Sequence, residues 1–84
     1  MYYTQKNSDN IAHCITQKLK TQLKLAGMSN LRLSQITGRS RPTVIKHLST
    51  STMTLDDFIS YALAAGLNPA KIFADGYNPV VGEE

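Results

Sequence analysis

The chain has 84 residues, of which 42% are hydrophobic and only 7% are aromatic, and it contains no tryptophan. A chain of this length forms one small domain with a thin margin of stability, and a core of Leu, Ile, Val and Ala favours helices over a sandwich or barrel. The formal net charge is +3, and the single cysteine, Cys14, excludes an internal disulfide bond and a cysteine-based zinc site.

The charges divide unevenly along the chain. Residues 10–55 contain no acid, and all six acids lie outside that range. The seven basic residues of that range are Lys18, Lys20, Lys24, Arg32, Arg39, Arg41 and Lys46. Such an asymmetry favours a polyanionic partner for the first half of the chain, although a solvated basic face without a partner gives the same pattern.

The first predicted helix follows a short N-terminal arm, residues 1–8. Ser8 or Asp9 is a suitable N-cap, and Gly27 is the expected stop, in the left-handed conformation. Between them, apolar residues recur about every four positions, which predicts one buried stripe. The stripe consists of Ile11, Ile15, Leu19, Leu23 and Ala26.

Two shorter helices are predicted on either side of Gly38. The second helix covers about residues 30–37 behind a Ser29 cap. The third begins after Ser40, with Pro42 in its first turn, where the missing N–H removes no helical hydrogen bond. A small residue at a short bend is what a helix-turn-helix requires. We expect the pair to share a core of Leu33, Ile36, Val44 and Leu48.

The fourth helix is predicted from a capping pattern. Thr54, with Asp57 three residues later, is a capping-box-like start, and Gly66 is a plausible stop. The spacing of apolar residues places one side of this helix in the core. The inward residues are Leu55, Phe58, Ile59, Ala62 and Leu63.

A short fifth helix and a tail complete the chain. Asn68 and Pro69 start the helix, in which Ile72 and Phe73 close the core. The dipeptide at residues 75–76 predicts a turn into a tail, residues 76–84, with a short extended stretch at residues 79–81. The sequence therefore predicts one all-α domain of five helices, with a core at about residues 9–75, an arm and a tail.

Residues 33–46 carry a spaced pattern of small, polar and apolar residues, namely Leu33-Ser34-x-x-x-Gly38-x-Ser40-Arg41-x-Thr43-Val44-x-Lys46. This pattern resembles the helix-turn-helix of the lambda-repressor-like family, the Cro/CI-type DNA-binding domains of phages and bacteria. The resemblance continues through the last two predicted helices and covers about residues 11–74. Winged-helix regulators share a string like that of residues 40–44, but the order of helices favours the five-helix family.

The chain departs from the family pattern at several positions. Ser34 stands where the family usually has Ala, and Asn30 stands where it usually has a Gln that braces the DNA backbone. Arg39 and His47 stand where the family usually has an apolar residue. We expect His47 to be half-buried, and these two positions bear on the angle between the second and third helices.

The resemblance implies that the third helix enters the major groove of double-stranded DNA. Arg41 or Lys46 would pair with guanine, and Pro42 and Ile45 would touch thymine methyl groups. The residues implied to face the bases are Ser40, Arg41, Pro42, Thr43, Ile45, Lys46 and Ser49. The residues implied to hold phosphates are Asn30, Arg32, Arg39 and Lys24, and Arg39 is equally well an exposed turn residue.

A homodimer on a two-fold operator is the expected state, because one small domain makes few base contacts. One candidate contact is strand pairing of residues 77–81, although a loose tail is slightly favoured there. The alternative contact is a helical patch of Tyr61, Leu67 and Phe73. No signal peptide or membrane-spanning stretch is recognisable, which predicts a cytoplasmic regulator in a bacterial or phage-infected cell, associated with the nucleoid when bound to DNA.

Two other classes of function remain open. The first is a protein-binding module, either an antitoxin or an antirepressor, whose main partner is a toxin or another regulator. The second is an enzyme, which the sequence supports poorly, because it contains no Ser-His-Asp set and no phosphate-binding loop. His13 and Cys14 are adjacent and point apart on a helix. We therefore expect no catalytic residue, no metal and no cofactor.

Overall fold

The computed structural model describes residues 5–81, and the side chains of residues 8–77, as five α-helices joined by short loops. The helices are α1 (Gln5–Leu25), α2 (Asn30–Thr37), α3 (Arg41–Thr50), α4 (Leu55–Ala64) and α5 (Pro69–Val81). No strand occurs within residues 5–81, and no helix there is long and apolar enough to cross a membrane. The predicted all-α class is therefore confirmed for the described residues.

Polar caps begin the three central helices, as the sequence predicts. The hydroxyl of Ser29 accepts a hydrogen bond from the Arg32 N–H, and the Thr54 hydroxyl accepts one from the Asp57 N–H, both at 3.1 Å. Ser40 caps α3 in the same way. Each cap satisfies an amide that has no partner inside the helix, which fixes the start of the helix to one residue.

Gly38 ends α2 in the left-handed conformation, with a φ of 79°. Its N–H donates to the Ser34 carbonyl at 2.9 Å, which satisfies one of the last carbonyls of the helix. A residue with a β-carbon is strained at this φ, so glycine permits the abrupt bend toward α3. The predicted stops at Gly27 and Gly66 are confirmed with the same backbone conformation.

The start of α1 differs from the prediction. The helix begins at Gln5, so Ser8 and Asp9 lie inside it and the second half of the predicted arm is helical. Capping residues favour a helix start without enforcing one, and no Pro or Gly in residues 5–9 interrupts the helix. Residues 1–4 of the predicted arm lie outside the described residues.

Every helix contributes to one core, which α1 crosses from end to end. α1 packs most extensively on α5, whereas α2 packs on α3 and α4, and α3 also contacts α1. Buried apolar residues spaced by four along α1 confirm the predicted stripe between Ile15 and Leu23. The buried apolar residues are Ile15, Leu19, Leu23, Leu33, Val44, Leu48, Phe58, Tyr61, Ala62 and Ile72.

Several residues that were predicted to face the core are exposed instead. Ala26, the last residue of the predicted stripe of α1, is exposed just beyond the end of that helix. The others belong to α2, α4 and α5, and each of these helices buries a narrower stripe than its apolar composition indicates. A domain of this size has more apolar side chains than interior space. The exposed side chains are Ile36 at 51%, Leu55 at 68%, Ile59 at 37%, Leu63 at 61% and Phe73 at 48%.

The fifth helix continues where a turn and an extended tail were predicted. It passes through Gly76 and reaches Val81, so residues 77–81 are helical in the structure and not extended as predicted. Gly76 is buried against α1, where an added β-carbon would lie 2.6 Å from the Ile15 Cα and 3.0 Å from its Cγ1. The glycine therefore permits the close approach of two helices and does not form a turn.

Replacing Gly76 by alanine is expected to lower the free energy of unfolding. The added methyl group must push α1 and α5 apart, and such overpacking costs about 1–3 kcal/mol. Because the nearest atom is the backbone Cα of Ile15, which cannot turn aside, we expect the upper part of this range, which exceeds the gain of roughly 1 kcal/mol that alanine brings as a better helix former. Urea denaturation followed by circular dichroism measures the difference.

The matched control is Ala74→Gly, at an exposed position of the same helix. This variant reports the helix propensity difference alone and is expected to lose about 1 kcal/mol. If Gly76→Ala gains as much free energy of unfolding as Ala74→Gly loses, then α1 and α5 do not approach closely at Gly76.

Candidate nucleic-acid interface

The loop between α2 and α3 consists only of Gly38, Arg39 and Ser40. The two helices pack against each other, and Leu33, Val44 and Leu48 are buried between them and the rest of the core. Three of the four predicted core residues of this pair are thus confirmed, and Ile36 is the exception. The short loop and the buried contacts leave α3 in a fixed position on the surface.

One face of α3 points away from the core. Arg41, Ile45 and Ser49 follow each other at four-residue intervals and are exposed, and Pro42 and Lys46 form a second exposed row beside them. The structure therefore brings together five of the seven residues that the sequence analysis assigned to base contacts. Of the other two, Ser40 is exposed at the start of the helix and Thr43 is half-buried.

Hydroxyl groups on this helix are engaged in local hydrogen bonds. The Ser40 hydroxyl donates to the Thr43 hydroxyl at 2.7 Å and accepts from the Thr43 N–H at 3.3 Å. The Ser49 hydroxyl donates to the Ile45 carbonyl at 2.7 Å. Within the part of the chain that the structure describes, Arg41 and Lys46 have no ion-pair partner. These two side chains consequently present charged donors on the α3 face that no acid among the described residues occupies.

The other predicted phosphate-binding residues lie at helix ends. Asn30 and Arg32 are exposed in the first turn of α2, and Lys24 is exposed in the last turn of α1. They are available to a ligand that approaches those helix ends. Asn30 and Arg32 are not part of the core, so packing does not account for these two side chains.

Arg39 differs from these because it is paired with an acid. Its Nη2 lies 2.7 Å from Asp57 Oδ1, and its Nε donates to the same oxygen at 2.8 Å. The Arg39 side chain is 47% exposed, whereas the Asp57 side chain is only 7% exposed. No acid is close to the turn in the sequence, but the fold brings Asp57 next to it. Arg39 is therefore neither a free cation nor an unpaired turn residue.

Asp57 also faces α3 through its second oxygen. His47 Nδ1 lies 3.8 Å from Asp57 Oδ2 and 2.8 Å from the Tyr61 hydroxyl, within hydrogen-bond distance of the latter. His47 is half-buried, as predicted, and its polar contacts are with α4. Burial raises the pKa of Tyr61, the Asp57 carboxylate adds to the rise, and the Arg39 guanidinium opposes it.

Sequence reasoning missed the roles of Asp57 and Tyr61. It assigned Asp57 only to a helix cap and placed Tyr61 in an exposed dimer patch, which is wrong because Tyr61 is fully buried. The available signal was the polar character of Arg39 and His47 at positions where the resemblance to the lambda-repressor-like pattern implies apolar residues. Polar side chains at such positions require partners, and two polar residues four apart on α4 provide them.

Removing the Tyr61 hydroxyl is expected to change how stability depends on alkaline pH. Because the pKa of Tyr61 is raised in the folded protein, its stabilising contribution is complete below the ordinary tyrosine pKa of about 10 and is lost as pH rises above it. Phenylalanine does not ionise, so the free energy of unfolding of Tyr61→Phe lacks the part of the alkaline decrease that Tyr61 causes. It also removes a buried hydrogen bond, at a cost of about 1 kcal/mol at neutral pH.

Phenolate absorbance and urea denaturation between pH 8 and pH 12 together measure this effect, with Tyr77→Phe as the control at a half-exposed tyrosine. The difference titration between the wild type and Tyr61→Phe should give an apparent pKa above about 10. A Tyr61 component that ionises at or below that value would contradict the burial of its hydroxyl.

Comparisons with known proteins do not identify a relative. No protein-family model matches the chain, and no curated protein or solved structure is significantly similar to it.

Proposed function

We propose that the protein is a small transcriptional regulator that binds double-stranded DNA through α3, with α2 and α3 acting as a helix-turn-helix of the lambda-repressor-like type. The observation that carries the proposal is the outward face of α3. Arg41 and Lys46 are exposed and unpaired there among the described residues, beside the exposed Pro42 and Ile45. Cationic forks beside apolar groups match the guanine edges and thymine methyl groups of the major groove.

The polar groups around this face support a phosphate-binding rim. Asn30, Arg32 and Lys24 are exposed at the ends of neighbouring helices, and Arg39 lies in the loop that precedes α3. Such contacts position a protein on duplex DNA without reading its sequence. Ser40, Thr43 and Ser49 keep acceptor capacity after their local hydrogen bonds, so they serve as secondary contacts in the proposal.

The proposed regulator acts as a homodimer on a two-fold operator and represses by occupying a promoter. An exposed apolar surface on α4 and α5 supports the dimer. It forms a shallow groove of about 420 Å³, and we call it the α4–α5 apolar surface. The groove is lined by Leu55, Phe58, Ile59, Pro69, Ala70 and Phe73. Exposed apolar surface of this kind marks an interaction site in a small domain.

The same surface favours a second candidate function, the binding of a different protein. An antitoxin or antirepressor would cover the α4–α5 apolar surface with its partner and use α3 less or not at all. Purification from the native host separates the two proposals. A stoichiometric second protein that is released by a Leu55→Asp substitution supports the alternative, whereas a dimer of one chain supports the regulator.

DNA binding is expected to weaken steeply with salt. The logarithm of the binding constant should fall with the logarithm of salt concentration at a slope of roughly −0.9 per phosphate contacted. Arg41→Ala should lower affinity for a preferred sequence and reduce its advantage over unrelated duplexes, by about 1–3 kcal/mol if the contact is bidentate. Lys24→Ala should weaken all sequences alike. Fluorescence anisotropy with labelled duplexes measures these quantities.

Lys71→Ala is the charge-matched control. Lys71 is an exposed lysine on α5 that pairs with Asp75 at 3.6 Å and is not among the proposed DNA contacts. It should leave both the affinity and the salt slope of DNA binding nearly unchanged. A wild-type slope near zero, or an equal effect of Arg41→Ala and Lys71→Ala, contradicts binding through α3.

A further inference from the structure

Arg39 presents two different edges to its surroundings. The edge with Nε and Nη2 is taken up by a single oxygen of Asp57, at 2.8 Å and 2.7 Å. The guanidinium carries further N–H donors that point away from this edge. Because nearly half of the Arg39 side chain is exposed, those donors remain open to a ligand at the start of α3.

Asp57 itself has little freedom to move. It lies in the first turn of α4, where the Thr54 hydroxyl holds its N–H, and its side chain is almost fully buried. Its second oxygen faces His47, which is in turn bonded to the buried Tyr61. A buried carboxylate of this kind needs such partners, so the anchored end of the Arg39–Asp57 pair is the acid.

We infer that Asp57 is a positioning residue, which holds Arg39 so that its open guanidinium edge meets a phosphodiester group at the start of α3. The inference rests on the proposed DNA-binding function and adds a residue that does not itself touch DNA. A long arginine side chain loses conformational freedom when it binds, and pairing with Asp57 removes part of that freedom beforehand. The loop residue thereby becomes a preorganised phosphate clamp.

The effect of the negative charge of Asp57 on DNA affinity distinguishes this inference from simple electrostatics. Asp57 is an acid close to a site for a polyanion, so its removal should favour DNA if only long-range charge mattered. Under our inference its removal weakens DNA binding, because Arg39 is no longer held. The neighbouring Asp56 is an exposed acid in the same turn of α4 and has no ion-pair partner among the described residues. Asp56→Ala is therefore the matched control for charge.

The test is a double-mutant cycle of Arg39→Ala and Asp57→Ala, read by the affinity of the full-length chain for a labelled duplex. Arg39→Ala should weaken binding about tenfold, the size of one charge-assisted contact, and should lower the salt slope by roughly 0.9. Asp57→Ala should weaken binding about three- to fivefold and lower the slope as well. In the Arg39→Ala background, Asp57→Ala should cause no further loss. Asp56→Ala should leave binding unchanged or slightly stronger.

Loss of folding is monitored in each variant by thermal denaturation, and binding is measured well below the lowest midpoint. Arg39→Lys provides a second line of evidence, since it keeps the charge and loses the planar fork. It should weaken DNA binding about three- to fivefold, and this loss can be measured even if Asp57→Ala is too unstable to study.

The outcomes are distinct. Wild-type protein without salt-dependent DNA binding overturns the proposed function, and the inference falls with it. If the wild type binds DNA, any one of three results overturns the inference alone. These results are additive losses in the cycle, an affinity of Asp57→Ala at or above that of Asp56→Ala, and normal binding by Arg39→Lys. An affinity gain in Asp57→Ala would show that Asp57 competes with DNA for Arg39.

Discussion

A carboxylate that α4 buries against the start of α3 is the constraint on which the arrangement of the α2–α3 pair depends. Asp57 is 5% exposed, and a charge in that position is stable only if neighbouring groups solvate it. Its partners come from two other places, Arg39 from the loop and His47 from α3. Burying Asp57 therefore requires the loop and α3 to lie in one orientation relative to α4.

This network joins Arg39 of the loop and His47 of α3 to Asp57 and Tyr61 of α4. His47 is half-buried, and a buried polar group without a partner costs about 1–3 kcal/mol. Tyr61 pairs with His47 and removes that cost, and the half-exposed Arg39 pairs with the buried carboxylate of Asp57. No buried side-chain nitrogen or oxygen among the described residues lacks a hydrogen-bond partner. The polar side chains of the loop and of α3 are thus matched by polar side chains on α4.

The features that could be predicted from the sequence are the local ones. A cap such as Ser29 or Thr54 acts within three residues, and a stop such as Gly38 acts within four, so both can be recognised in a short window. The Arg39–Asp57 pair joins residues 18 positions apart, and Gly76 packs closely against Ile15 on another helix. Neither contact has a local signature, and an isolated glycine after an acid has the signature of a turn.

The described surface separates into two kinds of site. The face of α3 carries exposed cations and small apolar groups, whereas the α4–α5 apolar surface carries no charge in its groove lining. The proposed regulator uses the first for DNA and the second for its partner subunit. Doubling the interface in this way offsets the small number of base contacts that a ten-residue helix offers.

The central claim, that α3 reads duplex DNA, is tested most directly by selecting bound sequences from a random duplex library with the full-length protein. The account predicts enrichment of a two-fold consensus whose half-sites lie about 34 Å apart, one helical turn of DNA. It also predicts that Arg41→Ala degrades the consensus at particular base pairs. A library that shows no enrichment after repeated rounds would contradict the claim.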